Sequence, residues 1–222
     1  MKRLFLLFFI IGILSNTLVV AQFQQISKPA NIFGQCIAAM DSGLFVGTRL
    51  GLYFSNDDGA SWHEINNGLT NLDIRGIASI DNMVFAGTDG GVFLSKSNGD
   101  SWSSASAGTP NLIDIRDIIA HNNCLLASTG KGEVYLSTDK AATWKLVYTF
   151  SESYVQYFAS NGAKIYAATE YGGKIQFSND NGASWSPVNM GKMSPLEPGE
   201  MLSIINTIAC FRNNLFSADN GG

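Results

Sequence analysis

The chain has 222 residues, 45% hydrophobic and 14% charged, with a formal net charge of −4. That length can bury a sizeable core, and the acidic balance argues against nucleic acid, whose backbone demands a basic face. Cys36, Cys124 and Cys210 are the three cysteines, an odd set that does not suit a disulfide-stapled domain and is expected to remain as free thiols.

Residues 1–21 read as a secretory signal peptide. Lys2 and Arg3 precede an apolar run over 4–14, a polar break at 15–17, and Val19-Val20-Ala21 before Gln22. The run is short for a membrane span, and no later stretch approaches about 18 apolar residues. The expectation is therefore a secreted, periplasmic or cell-surface chain with no membrane span apart from this segment. Without Lys2 and Arg3 the formal charge becomes −6. Residues 22–34 are a lead-in that would supply one outer strand at most.

From 35 to 222 one pattern recurs. Its signature is Ser55-Asn56-Asp57-Asp58-Gly59-Ala60-Ser61-Trp62, with further copies running from Ser95 to Trp102, Ser137 to Trp144 and Ser178 to Trp185. The first serines lie 40, 42 and 41 residues apart, the period of a four-stranded propeller blade. All four tryptophans of the chain belong to these copies.

Aligning on the signature predicts inner strands at 35–40, 75–80, 116–121, 156–160 and 206–210. Each ends at a turn rich in Asp, Asn and Gly, residues that tolerate positive φ. Second strands follow and end in Gly47-Thr48, Gly87-Thr88, Ser128-Thr129 and Ala168-Thr169. Small residues there predict close approach of neighbouring sheets. Glycine turns at Gly51, Gly90-Gly91, Gly132 and Gly172-Gly173 lead into third strands and then the signature, with a fourth strand starting near each tryptophan. The fold predicted is all-β, a propeller of four-stranded antiparallel blades. The fifth repeat stops after its second strand, at Asp219-Asn220-Gly221-Gly222, so an incomplete open arc truncated in the fifth blade is expected.

In the signature, Asp57, Asp139 or Asp180 can accept bonds from its own turn, Gly59, Gly99 or Gly182 supplies a left-handed backbone, and the tryptophan is expected to fold back over its hairpin. Ser97 replaces the aspartate in the second copy and leaves a weaker acceptor. Ala141 replaces the glycine in the third, which predicts a slightly rearranged turn rather than φ > 0. The clustered oxygens also suit a calcium loop, but the bidentate glutamate of such loops is missing. No metal and no cofactor are expected.

This Ser-x-Asp-x-Gly-x-x-Trp pattern resembles the Asp-box, or BNR repeat, of the propellers in sialidases, xyloglucan-degrading glycosidases, sortilin-type receptors and photosystem II assembly factors. The resemblance implies a propeller over nearly all of 35–222. It leaves function open, because those relatives do unrelated things.

In such propellers the loops entering the inner strands share a face with the turns joining second to third strands, opposite the boxes. That nominates Gln35, Arg75, Arg116, Gln156 and Asn206 at the channel entrance, with Arg49, Asp89, Lys131, Glu170 and Tyr171 on neighbouring turns. Ligand binding is assigned to Arg75, Arg116, Gln156, Arg49 and Lys131, because two guanidinium groups on one rim can grip a carboxylate or phosphate. The competing reading pairs each arginine with a nearby aspartate to brace the ring. No catalytic residue is assigned. The sialidase resemblance would require a Phe-Arg-Ile-Pro-like motif, whereas Phe211-Arg212 runs into Asn213-Asn214. A glycosidase would need two carboxylates about 5–10 Å apart, for which Asp89 and Glu170 stand only by default. The function expected is a noncatalytic module that binds an unidentified protein or carbohydrate partner. The alternative is part of a glycoside hydrolase, sialidase-like or β-glucan-degrading, with its catalytic residues mostly elsewhere.

Overall fold

The computed structural model describes residues 33–106, 108–109, 111–170, 174–188, 205–211 and 214–219. The signal-like segment, nearly all of the lead-in, Tyr171, the Gly172-Gly173 turn, Arg212-Asn213 and Asn220 to Gly222 lie outside them. Within them the regular structure is entirely strand. Blade 1 comprises β1 (Gly34–Met40), β2 (Gly43–Thr48), β3 (Gly51–Ser55) and β4 (His63–Glu64). Blade 2 comprises β5 (Ile74–Ile80), β6 (Met83–Thr88), β7 (Gly91–Ser95) and β8 (Ser103–Ser104). Blade 3 comprises β9 (Ile115–His121), β10 (Cys124–Thr129), β11 (Glu133–Ser137) and β12 (Lys145–Thr149). Blade 4 comprises β13 (Val155–Ser160), β14 (Ile165–Thr169), β15 (Ile175–Ser178) and β16 (Ser186–Pro187), and the pair β17 (Ile205–Phe211) and β18 (Asn214–Asp219) follows. Every blade is an antiparallel meander, and the first strands pack on one another in succession: β1 on β5, β5 on β9, β9 on β13, β13 on β17. This is a β-propeller.

The core consists of the seams between blades. Phe45, Leu52 and Ile65 of blade 1 meet Ile74, Val84 and Phe93 of blade 2 in one cluster. Phe85 and Val92 face Ile115, Ile118 and Leu125 in the next. Leu126 and Val134 face Phe158 and Ile165 in a third, and Ala168 and Ile175 face Ile205 and Ile208 in a fourth. Each fully buried side chain such as Phe45 or Phe85 contributes roughly 1.5–3 kcal/mol. The small residues ending the second strands are required by this packing. A Cβ at Gly47 would sit 2.7 Å from Ile74 Cγ2 of the next blade, and one at Gly87 would sit 2.7 Å from Ile115 Cγ2.

The tryptophans do not behave as the hairpin expectation had it. Trp102 Nε1 donates to Ile65 O at 2.7 Å and Trp144 Nε1 to Ala105 O at 2.7 Å, in each case a carbonyl of the preceding blade. Trp185 alone of these three bonds within its own turn, to Gly182 O at 3.1 Å, while its ring packs near Phe150 and Phe158. Trp102 and Trp144 are thus wedges between blades. An indole needs both an apolar bed and an acceptor, and the seam supplies both.

The box turns close on their first serine as much as on the aspartate. Ser55, Ser95, Ser137 and Ser178 are buried, and each hydroxyl accepts the amide of the fifth box residue at 2.8–2.9 Å. Ala141 overturns its expectation. Its φ is 67°, beside 84° at Gly59 and Gly182, and its amide bonds Ser137 Oγ at 2.8 Å just as those glycine amides bond their serines, so the turn holds it in that conformation. Its methyl is buried in the seam of blades 2 and 3. Ala141→Gly should therefore change stability by less than about 1 kcal/mol, since relief of a left-handed alanine offsets the lost methyl. Gly99→Ala should cost about 1–3 kcal/mol, because its Cβ would fall 2.4 Å from Ile65 Cδ1. Urea unfolding of the two variants checks both.

Candidate functional site: the rim opposite the boxes

All five residues nominated at the channel entrance occupy one structural position. Register jumps from Gly34 to Cys36, Ile74 to Gly76, Ile115 to Asp117, Val155 to Tyr157 and Ile205 to Thr207 against the second strands. The residue skipped is Gln35, Arg75, Arg116, Gln156 or Asn206. Each is the extra residue of a β-bulge, a device that re-aims a side chain out of the pleat. Sequence alignment found the positions, and the bulge is why they stand apart from the strand.

On blades 1 to 3 these side chains form a braced ladder. Gln35 Nε2 donates to Asp73 Oδ1 at 2.6 Å. Arg75 reaches Asp73 at 2.8 Å, Asp89 at 3.1 Å and Asp114 at 2.5 Å. Arg116 donates to the other oxygen of Asp114 at 3.1 Å and lays its guanidinium 4.6 Å from the centre of the Tyr154 ring in blade 4. The backbone follows the same line: Asp114 N donates to Asp89 O and Gly130 N to Asp114 O. Burial opposes ionisation of Asp73, but the bonds from Gln35 and Arg75 outweigh it and hold its carboxyl below the usual range. Burial likewise works against the charge on Arg75, and its bonds to Asp73 and Asp114 overcome it and raise the guanidinium. Arg75 thus ties three aspartates of the rim together, and Asp89, the default acid of a glycosidase reading, is one of them.

The pattern changes at the junction of blades 3 and 4. Arg116 Nε, Gln156 Oε1 and Glu170 Oε2 are buried atoms with no hydrogen-bond partner. They share one neighbourhood, since Arg116 stacks on Tyr154, Glu170 N donates to Tyr154 O at 3.1 Å, and Gln156 bulges beside Thr169. A shallow cleft of about 360 Å³ adjoins it, lined by Tyr148, Glu152, Ser153, Lys174 and Gln176 among others. Arg49 and Lys131 are exposed on their turns, Arg49 close enough to act on the charge of Asp73. Asn206 is exposed at the β17 bulge.

Asp117 escaped the sequence reading. Immediately after the Arg116 bulge, its carboxylate accepts Ile118 N at 2.8 Å and, across the seam, Phe158 N at 2.7 Å. Burial pushes this carboxyl up to about 7 against the lowering effect of those two amides. The signal was a lone acid at a repeat position held by Cys36, Gly76 and Tyr157 in neighbouring blades. His121, at the other end of β9, also crosses that seam: Asn122 Nδ2 donates to its Nε2 at 2.9 Å, leaving Nδ1–H for Ser160 Oγ at 2.6 Å. It is buried in a structural role.

On the opposite face the box carboxylates are saturated by their own turns. The Ser61 hydroxyl, then its amide and the Ser55 hydroxyl hold Asp57 down to about 2, and Ser184 and Ser178 do the same for Asp180. Thr143 and Ser137 lower Asp139. The Ser97 hydroxyl makes the longer contacts expected of it, 3.2 and 3.4 Å to Ser101 and 3.4 Å to Ser95.

The DUF6242 beta propeller domain model matches residues 41–149 and 82–207. No curated protein matches the chain in sequence. Among solved structures, YCF48 bound to D1 peptide is similar at 16% identity and a TM-score of 0.67, over 89% of this chain and 63% of that one. The extracellular domain of BT4673 from B. thetaiotaomicron is similar at 16% identity and 0.66, over 90% and 27%. An ancestral GH74 enzyme, AFV00434, is similar at 18% identity and 0.62, over 88% and 29%. The chain thus spans less than two thirds of the length of each of these three. With the matched residues covering most of its length, the chain belongs to the DUF6242 β-propeller domain family.

Proposed function

We propose that the chain is an exported, noncatalytic propeller module that recognises a protein or glycan partner through the rim carrying Arg49, Arg75, Arg116, Lys131 and Gln156. One observation carries the reading. Four consecutive blades and the strand pair after them present Gln35, Arg75, Arg116, Gln156 and Asn206 from the same bulge, so that a repeated frame lines up hydrogen-bonding side chains along one rim. Of the rim carboxylates, Asp73, Asp89 and Asp114 all bond to arginine, which leaves Glu170 without a second free acid to form a hydrolytic pair. A structural neighbour, YCF48, has been solved with a bound peptide, which accords with a protein partner, and the extracellular domain of BT4673 accords with export of a module of this shape.

The test takes the full secreted chain. Incubated with aryl sialosides and soluble β-glucans it should release no product. On arrays of peptides and oligosaccharides its binding should fall at least about tenfold, or about 1.4 kcal/mol, in the combined variant Arg49→Ala, Lys131→Ala, Gln156→Ala. Turnover abolished by Glu170→Gln, or array binding indifferent to the rim variant, would overturn the proposal.

A further inference from the structure

Resting on that reading of the rim, we propose that its occupant is an extended, uncharged peptide, with aliphatic side chains on Leu50, Leu72 and Ile113 and a main-chain amide at Arg116, Gln156 and Glu170. Leu50 is 65% exposed, Leu72 41% and Ile113 44%. A single exposed leucine is ordinary, but these three stand on one edge in three successive blades. Leu72 and Ile113 hold the same repeat position, ahead of Asp73-Ile74-Arg75 and Asp114-Ile115-Arg116, and Leu50 sits in the β2–β3 turn beside Arg49. Exposed aliphatic side chains that recur blade after blade along one rigid edge are more than scattered surface leucines, and they offer a spaced set of apolar contacts.

In blade 4 the equivalent of Ile113 is Ser153, and the aliphatic row gives way to the unpartnered Arg116 Nε, Gln156 Oε1 and Glu170 Oε2. One donor with two acceptors matches a secondary amide and its neighbour, whose C=O accepts from Arg116 while N–H groups donate to Gln156 and Glu170. Supplying those bonds removes a desolvation cost that the free protein carries.

The same surface suits a glycan poorly. Sugar C–H faces pack on flat aromatic rings, and the ring of Tyr154 is already covered by the Arg116 guanidinium. Charge along the rim cancels, with Arg49, Arg75, Arg116 and Lys131 against Asp73, Asp89, Asp114 and Glu170, so nothing selects a strongly acidic or basic segment.

The experiment selects phage-displayed random dodecapeptides on the immobilised full chain and titrates the enriched peptides, with cellohexaose and chitohexaose in parallel. Enriched peptides should carry spaced Leu, Ile or Val and bind about tenfold more weakly to Leu72→Ser and to Ile113→Ser. Gln156→Ala should weaken them about fivefold by leaving an amide unpaired. Leu72→Ser and Ile113→Ser should melt with the parent, since the exposed side chains they change lie outside the seams. Enriched peptides that ignore Leu72→Ser and Ile113→Ser but weaken with Arg49→Ala or Lys131→Ala would overturn this inference and leave the recognition rim intact. Oligosaccharide binding without peptide enrichment would do the same. Enrichment of nothing, with neither oligosaccharide bound, would remove both.

Discussion

Replacing Trp102 with alanine is expected to lower the unfolding free energy by about 3–5 kcal/mol. The indole is 6% exposed in the seam of blades 1 and 2. Its loss opens a cavity against Ile65, Val84 and Phe93 and leaves Ile65 O without its 2.7 Å donor. Trp102→Phe should retain most of the packing and lose about 1–2 kcal/mol for the orphaned carbonyl. Trp185→Ala should be milder, because that ring is half-buried and its bond stays within its own turn. Urea titration with fluorescence of the remaining tryptophans measures all three. A Trp102→Ala loss no larger than that of Trp185→Ala would show that the wedge between blades is not what binds one to the next.

Stability should fall as pH rises through the range of Asp117. Its folded carboxyl titrates at about 7 against 3.8 for the reference carboxyl, so below pH 4 both states hold the proton and nothing is lost. Between about 4 and 7 the unfolded chain releases its proton while the folded one keeps it, and stability declines by on the order of 1.4 kcal/mol per pH unit. Above 7 the folded group ionises too and the decline stops. Asp117→Asn should abolish this slope at a fixed loss of about 1 kcal/mol, because its amide oxygen serves only one of the Ile118 and Phe158 amides. The box aspartates act oppositely and at lower pH. Asp57 and Asp180, held down to about 2, contribute above pH 4 and release as pH drops toward 2. Melting curves from pH 3 to pH 9 separate the two regimes, and a slope unchanged in Asp117→Asn would assign the middle range to another group.

Much of this architecture was legible because repetition averages out local ambiguity. Four copies of one box at blade period fix strand order, and the inner strands lie within a residue of where alignment put them. The same alignment found the bulge positions without showing that they bulge, since an extra residue is visible only against its partner strand. What escaped was contact between repeats. Trp102 and Trp144 meet carbonyls a full blade earlier in the chain, and no motif within one hairpin announces that. Ala141 escaped for a related reason: the cost of φ > 0 is local, but the Ser137 bond and the buried methyl that hold it there are not. Arg75 was readable both as an anion grip and as a brace. The simultaneous approach of Asp73, Asp89 and Asp114 supports the brace, which is why the proposed contacts lie along the aliphatic row and the junction of blades 3 and 4.

The central claim is that recognition belongs to the bulge rim and not to the box face. Methyl-labelled NMR of the full chain, titrated with a peptide selected on it, tests this most directly. The account predicts shifts at Leu50, Leu72 and Ile113 that saturate together, while the exposed box-face methyls of Ala60, Ala142 and Ala183 stay in place. Saturating shifts at those alanines with a silent rim would contradict it.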